Sequence, residues 1–252
     1  MPDTAQLVFF ALVAAIFALG GFVKGVVGLG LPTIAMGLLS VLMLPAQAAA
    51  LLVVPSLATN LWQIGGPGLV ALLKRLATLL LGVCAGAWIG AGWLTGSGSS
   101  LATLGLGVAL IAYAALGLLK WRMHVKPAHE AWLAPLIGLA TGLVTAATGV
   151  FVIPAVPYLQ ALGMEKEALV RALGISFLVS TIALGVALGS SGALQATALA
   201  GSALALLPAL LGMGAGQWLR LRVQPETFKT IFFCGLLALG SYLSLRGGLQ
   251  FV

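Results

Sequence analysis

The stretch GFVKGVVGLGLP, residues 21–32, sets Lys24 one helical turn before Gly28 inside an otherwise apolar run, with Gly30 and Pro32 close behind. A lysine near the bilayer centre costs about 2.5–3.5 kcal/mol on insertion scales, so such residues usually face an interior path. Gly28, Gly30 and Pro32 interrupt helical hydrogen bonding, and a backbone broken at membrane depth must be buried or line a wet cavity. Such a break also frees N–H groups at the positive end of a helix dipole. Lys24 together with the backbone at Gly28, Gly30, Leu31 and Pro32 therefore suits a small oxyanion. The plainer reading is that Lys24 snorkels to an interface and the glycines serve close helix packing.

A second segment, GLATGLVT (138–145), lies over GFVKGVVG (21–28) at an offset of 117. Thr141 then takes the place of Lys24, and Thr145 and Thr148 flank a second break that ends at Gly149. Hydroxyls in membrane helices often bond their own backbone. Clustered at a break, they become candidate ligands. Asn60, Arg171 and Ser176 complete the candidate substrate-binding set. For Arg171 the competing role is membrane orientation; for Asn60, Gln63, Ser176 and Ser180 it is interhelical hydrogen bonding.

Absences narrow the chemistry further. The acidic residues are Asp3, Glu130, Glu165, Glu167 and Glu226, all at predicted segment ends. No carboxylate is left mid-membrane for a proton relay or a charged sodium site. His124 and His129 fall in one polar stretch, so no nucleophile–histidine constellation lies within the apolar runs. Cys84 and Cys234 have no disulfide or metal-ligand spacing and resemble small packing residues. The expectation is a protein that is not an enzyme, with no cofactor and no metal site.

The elements that would position these residues are membrane helices. Of the 252 residues, 61% are hydrophobic and 7% charged, with a mean hydropathy of +1.16. Soluble domains carry about 25% charged residues. The net charge of +7 comes from loop lysines and arginines, which set membrane orientation rather than bind nucleic acid. The first twenty residues lack the basic n-region of a secretory signal and read as a membrane segment.

Apolar segments fall at 5–29, 31–44, 46–64, 69–95 and 101–119, and, after the polar stretch 120–130, at 132–147, 149–162, 168–188, 195–219 and 228–245. Their leucine- and alanine-rich composition reads as helix throughout. GVCAGAW (82–88) and GMGAGQW (212–218) share Gly, Ala, Gly and Trp at one spacing, which points to an internal duplication. The start of segment 69–95 is basic (Lys74, Arg75) and the loop after it uncharged. In the second half the basic loop instead follows the corresponding segment, at Arg220, Arg222 and Lys229. By the positive-inside rule the two halves are inverted. The expected architecture is an all-α polytopic membrane protein of two inverted repeats, 1–119 and 131–252, joined by a cytoplasmic linker at 120–130. Each repeat holds four or five membrane segments, with broken or re-entrant hairpins whose tips, GLGLP (28–32) and TAATG (145–149), meet near the midplane.

GFVKGVVGLGLP, LPAQAAALLVVPSLATNLWQ (44–63) and the second-half stretch 138–185 resemble the sulfite exporter TauE/SafE family. The resemblance spans nearly the whole chain and rests on glycine and proline spacing. Many members read Gly-Gly-Gly at the first tip, where this chain has Gly30, Leu31 and Pro32. At the second tip Thr145, Ala146, Ala147 and Thr148 replace a glycine run. The resemblance implies transport of small sulfur-containing anions, sulfite or organosulfonates, across the bacterial inner membrane. The expected partners are that anion and the lipid bilayer, with GxxxG faces that permit a homodimer. An anion pore and a non-transporting membrane scaffold are the alternatives.

Overall fold

The structure, a computed structural model, describes residues 3–66, 68–96, 99–119, 124–220, 222 and 225–249. Among them are ten helices and no strand. In chain order they are α1 (Thr4–Val27), α2 (Leu31–Leu42), α3 (Pro45–Gln63), α4 (Leu69–Ile89) and α5 (Ser99–Leu118). The second five are α6 (Pro127–Thr148), α7 (Ala155–Ala161), α8 (Lys166–Ser190), α9 (Ala196–Arg220) and α10 (Pro225–Gly248). Each answers one predicted segment. Among the described residues seven helices are long and apolar enough to cross a bilayer: α1, α4, α5, α6, α8, α9 and most of α10. At 1.5 Å per residue, α2 with its 12 residues reaches about 18 Å and α7 with its 7 about 10 Å, against a hydrocarbon core of roughly 30 Å.

Lipid tails are as apolar as leucine, so helices in a membrane associate through close packing rather than through the hydrophobic effect. Glycine seams provide it here. α1 packs along α9 and α4 along α6. In the first seam a methyl group added at Gly21 or Gly212 would strike the carbonyl of Ala209 or of Ala18. In the second, one added at Gly86 or Gly138 would strike the carbonyl of Leu139 or of Leu79. The packing reading of the GxxxG motifs holds at these positions.

Exchanging α1–α5 for α6–α10 turns the first seam into the second. It also maps the pairs α3–α8 and α5–α10 onto themselves. Within α3–α8, Gly174 lies against Gln63 and Ile64, and Gly185 against Val53, so the two helices run antiparallel. Cys84 and Cys234, expected as packing residues, are free thiols on exposed faces.

The first break is closed by Gly28 at φ 87° and Gly30 at φ 119°, left-handed conformations that side chains other than glycine rarely adopt. Gly149, at φ 72°, ends α6 in the same way. α3 carries Pro55, which has no N–H to donate to the Leu51 carbonyl. Ser202 of α9 supplies the missing donor: its Oγ donates to Leu51 O at 2.7 Å and accepts from Val54 N at 3.0 Å.

Candidate functional site

Lys24, on the last turn of α1, is 4% exposed. Its Nζ donates to Thr59 Oγ1 at 3.1 Å and to Asn60 Oδ1 of α3. Thr59 can accept because its own hydroxyl proton goes to Pro55 O at 2.7 Å. An ammonium has three N–H donors, so one is unused among the described residues. No carboxylate pairs with Lys24 among the described residues, where the ion pair is Arg75–Glu130 at 2.7 Å. A buried cation without a counter-ion is costly, which makes this position receptive to an anion.

Further donors lie buried at the same level. Asn60 gives its Oδ1 to Lys24, while its Nδ2 has no partner. The hydroxyls of Ser56 on α3 and of Ser176 and Ser180 on α8 are also buried without partners. Interpolating between the Gln63–Gly174 and Val53–Gly185 contacts brings Ser56 to Asn60 level with Ser176 to Ser180, at the middle of α8. A serine can rotate its hydroxyl toward whatever acceptor arrives. The arrangement at α1 and α3 is one cation, Lys24, with the neutral donors of Asn60 and Ser56.

The sequence-derived set divides. Lys24 and Asn60 meet directly, whereas Ser176 is buried without a partner at the same level of α8, turned from the side on which Gly174 meets α3. Gly28 is one turn away, its carbonyl accepting from Gln63 Nε2 at 3.0 Å; the same nitrogen donates to Val170 O of α8 at 2.9 Å. Gly30 caps α2, and Leu31 and Pro32 are buried in its first turn, Leu31 against Gly20. Thr141, Thr145 and Thr148 each donate to the carbonyl four residues earlier, at 2.7 Å. Those bonds are the local ones that hydroxyls in membrane helices make. Arg171 lies outside the cluster, beside Gly66 past the end of α3, with its Nε donating to Glu167 O at 3.3 Å.

The hairpin tips, expected to meet near the midplane, stand apart. Gly28 is tied to Gln63, whereas Gly149 lies against Ala49 and Met36. Gln63 and Ala49 are fourteen residues apart on α3, roughly 21 Å of helix. Ser56 and Thr59 were not singled out from sequence. Thr59 stands beside Asn60 and four residues after Pro55, a position from which its hydroxyl reaches the Pro55 carbonyl; that spacing was the available signal.

Two cavities flank the first break, of about 340 and 460 Å³, and both are lined by Lys166, Val170 and Arg220. Lys229 lines the first, Arg171 and Glu167 the second. The far end of α3 opens on a cavity of about 500 Å³ lined by Gln47, Gln195 and Thr197 among apolar residues, with no charged side chain.

A bundle of long apolar helices around a buried lysine and interrupted hairpins defines a multi-pass integral membrane protein. The family model described as Sulfite exporter TauE/SafE matches residues 12–243. The chain belongs to that family, whose members are membrane transporters of the anion-exporter type. No curated protein and no solved structure matches the chain.

Proposed function

We propose that this protein exports small sulfur-containing anions such as sulfite or organosulfonates, and that the anion binds at Lys24 between α1, α3 and α8. The observation that carries this reading is the buried ammonium, bonded to Thr59 and Asn60 and without a counter-ion. Sulfur enters through family membership; the geometry supports a small oxyanion. Asn60 and Ser176 join Lys24 in the site, with Ser56 and Ser180 added. The backbone from Gly28 to Pro32 shapes its near edge. Thr141, Thr145, Thr148 and Gly149 form the second break, on the path toward the other face, and Arg171 belongs to the mouth.

The halves 1–119 and 131–252 act as inverted repeats. Support comes from the antiparallel run of α3 and α8 and from the exchange of the α1–α9 and α4–α6 seams. By the positive-inside rule the end holding Arg75, Lys166, Arg220 and Lys229 is cytoplasmic, as is the linker 120–130, and the membrane is the bacterial inner membrane. A basic mouth raises the local anion concentration, so loading is favoured from inside. An inside-negative potential is worth about 2.3 kcal/mol per charge per 100 mV and drives an anion outward. Export by facilitated diffusion then needs no coupling ion.

Labelled sulfite flux in proteoliposomes, with the potential set by potassium and valinomycin, tests this. Saturable, potential-sensitive flux lost in a folded Lys24→Ala variant is the expected result. Flux that ignores the substitution removes Lys24 from the site. Unsaturable flux at far higher rates indicates a pore, and no flux from inserted wild type indicates a scaffold.

A further inference from the structure

Resting on that reading of Lys24, we infer that the buried site selects its substrate by charge, accepting monoanions such as hydrogensulfite or an alkanesulfonate and rejecting dianions such as sulfate.

Charge balance carries the inference. Among the described residues Lys24 is the one cation there; Asn60, Thr59 and Ser56 on α3 are neutral, as are Ser176 and Ser180 at the same level of α8. The nearest cation along α8, Arg171, lies beyond the end of α3 beside Gly66. A bound monoanion brings the site to neutrality. A dianion leaves one unit of charge unpaired at membrane depth, where hydrogen bonds from hydroxyls soften the cost without cancelling it.

The spare donors fit the same ligand. The third Lys24 N–H, the Asn60 amide and the Ser56 hydroxyl, one turn before Asn60 on α3, can satisfy the oxygens of a three-oxygen head group. They confer geometry and capacity for hydrogen bonds, and no second charge. The basic mouth contributes in the opposite sense. Lys166 and Arg220 attract dianions more strongly than monoanions, so the selection must occur inside.

The experiment challenges Lys24-dependent sulfite flux in proteoliposomes with methanesulfonate (one charge) or sulfate (two) at matched ionic strength. Methanesulfonate is expected to compete at concentrations at least tenfold below those of sulfate. Sulfate competing equally or better, or neither anion competing, overturns the inference while leaving sulfite export standing. Absence of any Lys24-dependent flux overturns the proposed function and the inference together. A second cation beside Asn60, Ser56→Lys, is expected to shift the preference toward sulfate at least tenfold. An inserted, sulfite-transporting Ser56→Lys protein with an unchanged preference also overturns the inference. Should that variant fail to insert, the wild-type competition decides alone.

Discussion

At the first break a lysine precedes the left-handed glycine by four residues; at the second, a threonine holds that place. Gly28 N donates to Lys24 O at 2.7 Å, and Gly149 N to Thr145 O at 2.8 Å, so the caps are built alike. The seams are alike too: Gly138 and Gly142 follow Gly21 and Gly25 by 117 positions. Gly149, however, follows Gly28 by 121. α6 therefore runs one turn further past its seam than α1 does. That turn helps carry the second break out to Ala49 and Met36, while the first stays at Gln63, close to the buried cluster. Seam and cap are common to both halves; the chemistry is not. One break carries a charge that bonds to α3, and the other carries hydroxyls that bond their own helix. A single cation results, where a faithful copy would set two like charges in one apolar interior.

The broadest way to break this comparison is to attack the seams. Gly21→Leu and Gly138→Leu each drive a side chain into a facing backbone that cannot yield, a cost beyond the about 1–3 kcal/mol of an overpacked core. Both should eliminate monodisperse protein in size-exclusion chromatography. Tolerance in one half alone would show that the seams are not equivalent.

The breaks themselves should differ. Lys24→Ala is expected to lower sulfite flux at least thirtyfold, since losing one member of a buried charged contact costs about 2–5 kcal/mol. Thr145→Ala removes a local hydroxyl bond and should change flux less than threefold. Equal losses would mean that the second break also holds the anion.

Smaller effects test the supports. Ser202→Ala leaves the Leu51 carbonyl without a donor, a loss of about 1–3 kcal/mol. It should lower the thermal unfolding midpoint while leaving anion preference unchanged. The exposed Arg75–Glu130 pair ranks last. Arg75→Gln should cost at most about 1 kcal/mol and less in high salt, read from the same unfolding curves.

Much of this was legible in the sequence, for identifiable reasons. Glycine and proline punctuate the apolar runs, so all ten helices could be placed, although α4 ends at Ile89 rather than 95, α6 starts earlier, at Pro127, and α7 occupies only Ala155–Ala161 of the segment 149–162. Lys24 stands out because a charge in an apolar run has no ordinary packing role. Hydroxyls carry no such signal. Ser56 and Thr59 look like the background serines and threonines of any membrane helix until burial and missing partners distinguish them. The seam glycines dominated the alignment of the halves, which paired Lys24 with Thr141, whereas the caps pair it with Thr145. Only the structure separates the two registers, because seam and cap are shifted by a turn within one continuous helix.

Ser202 also bears on how the chain is made. The bond from its hydroxyl to Leu51 O joins residues 151 positions apart. During synthesis α3 enters the bilayer long before α9 exists, and its proline leaves a carbonyl exposed to lipid or to any water that follows it. The Lys24 contacts with Thr59 and Asn60, by contrast, close within 36 residues. The nascent first half can thus shelter its charge early but cannot finish its own backbone. A ribosome stalled before residue 202 would hold a protein whose buried lysine is already bonded and whose third helix still waits for its last donor.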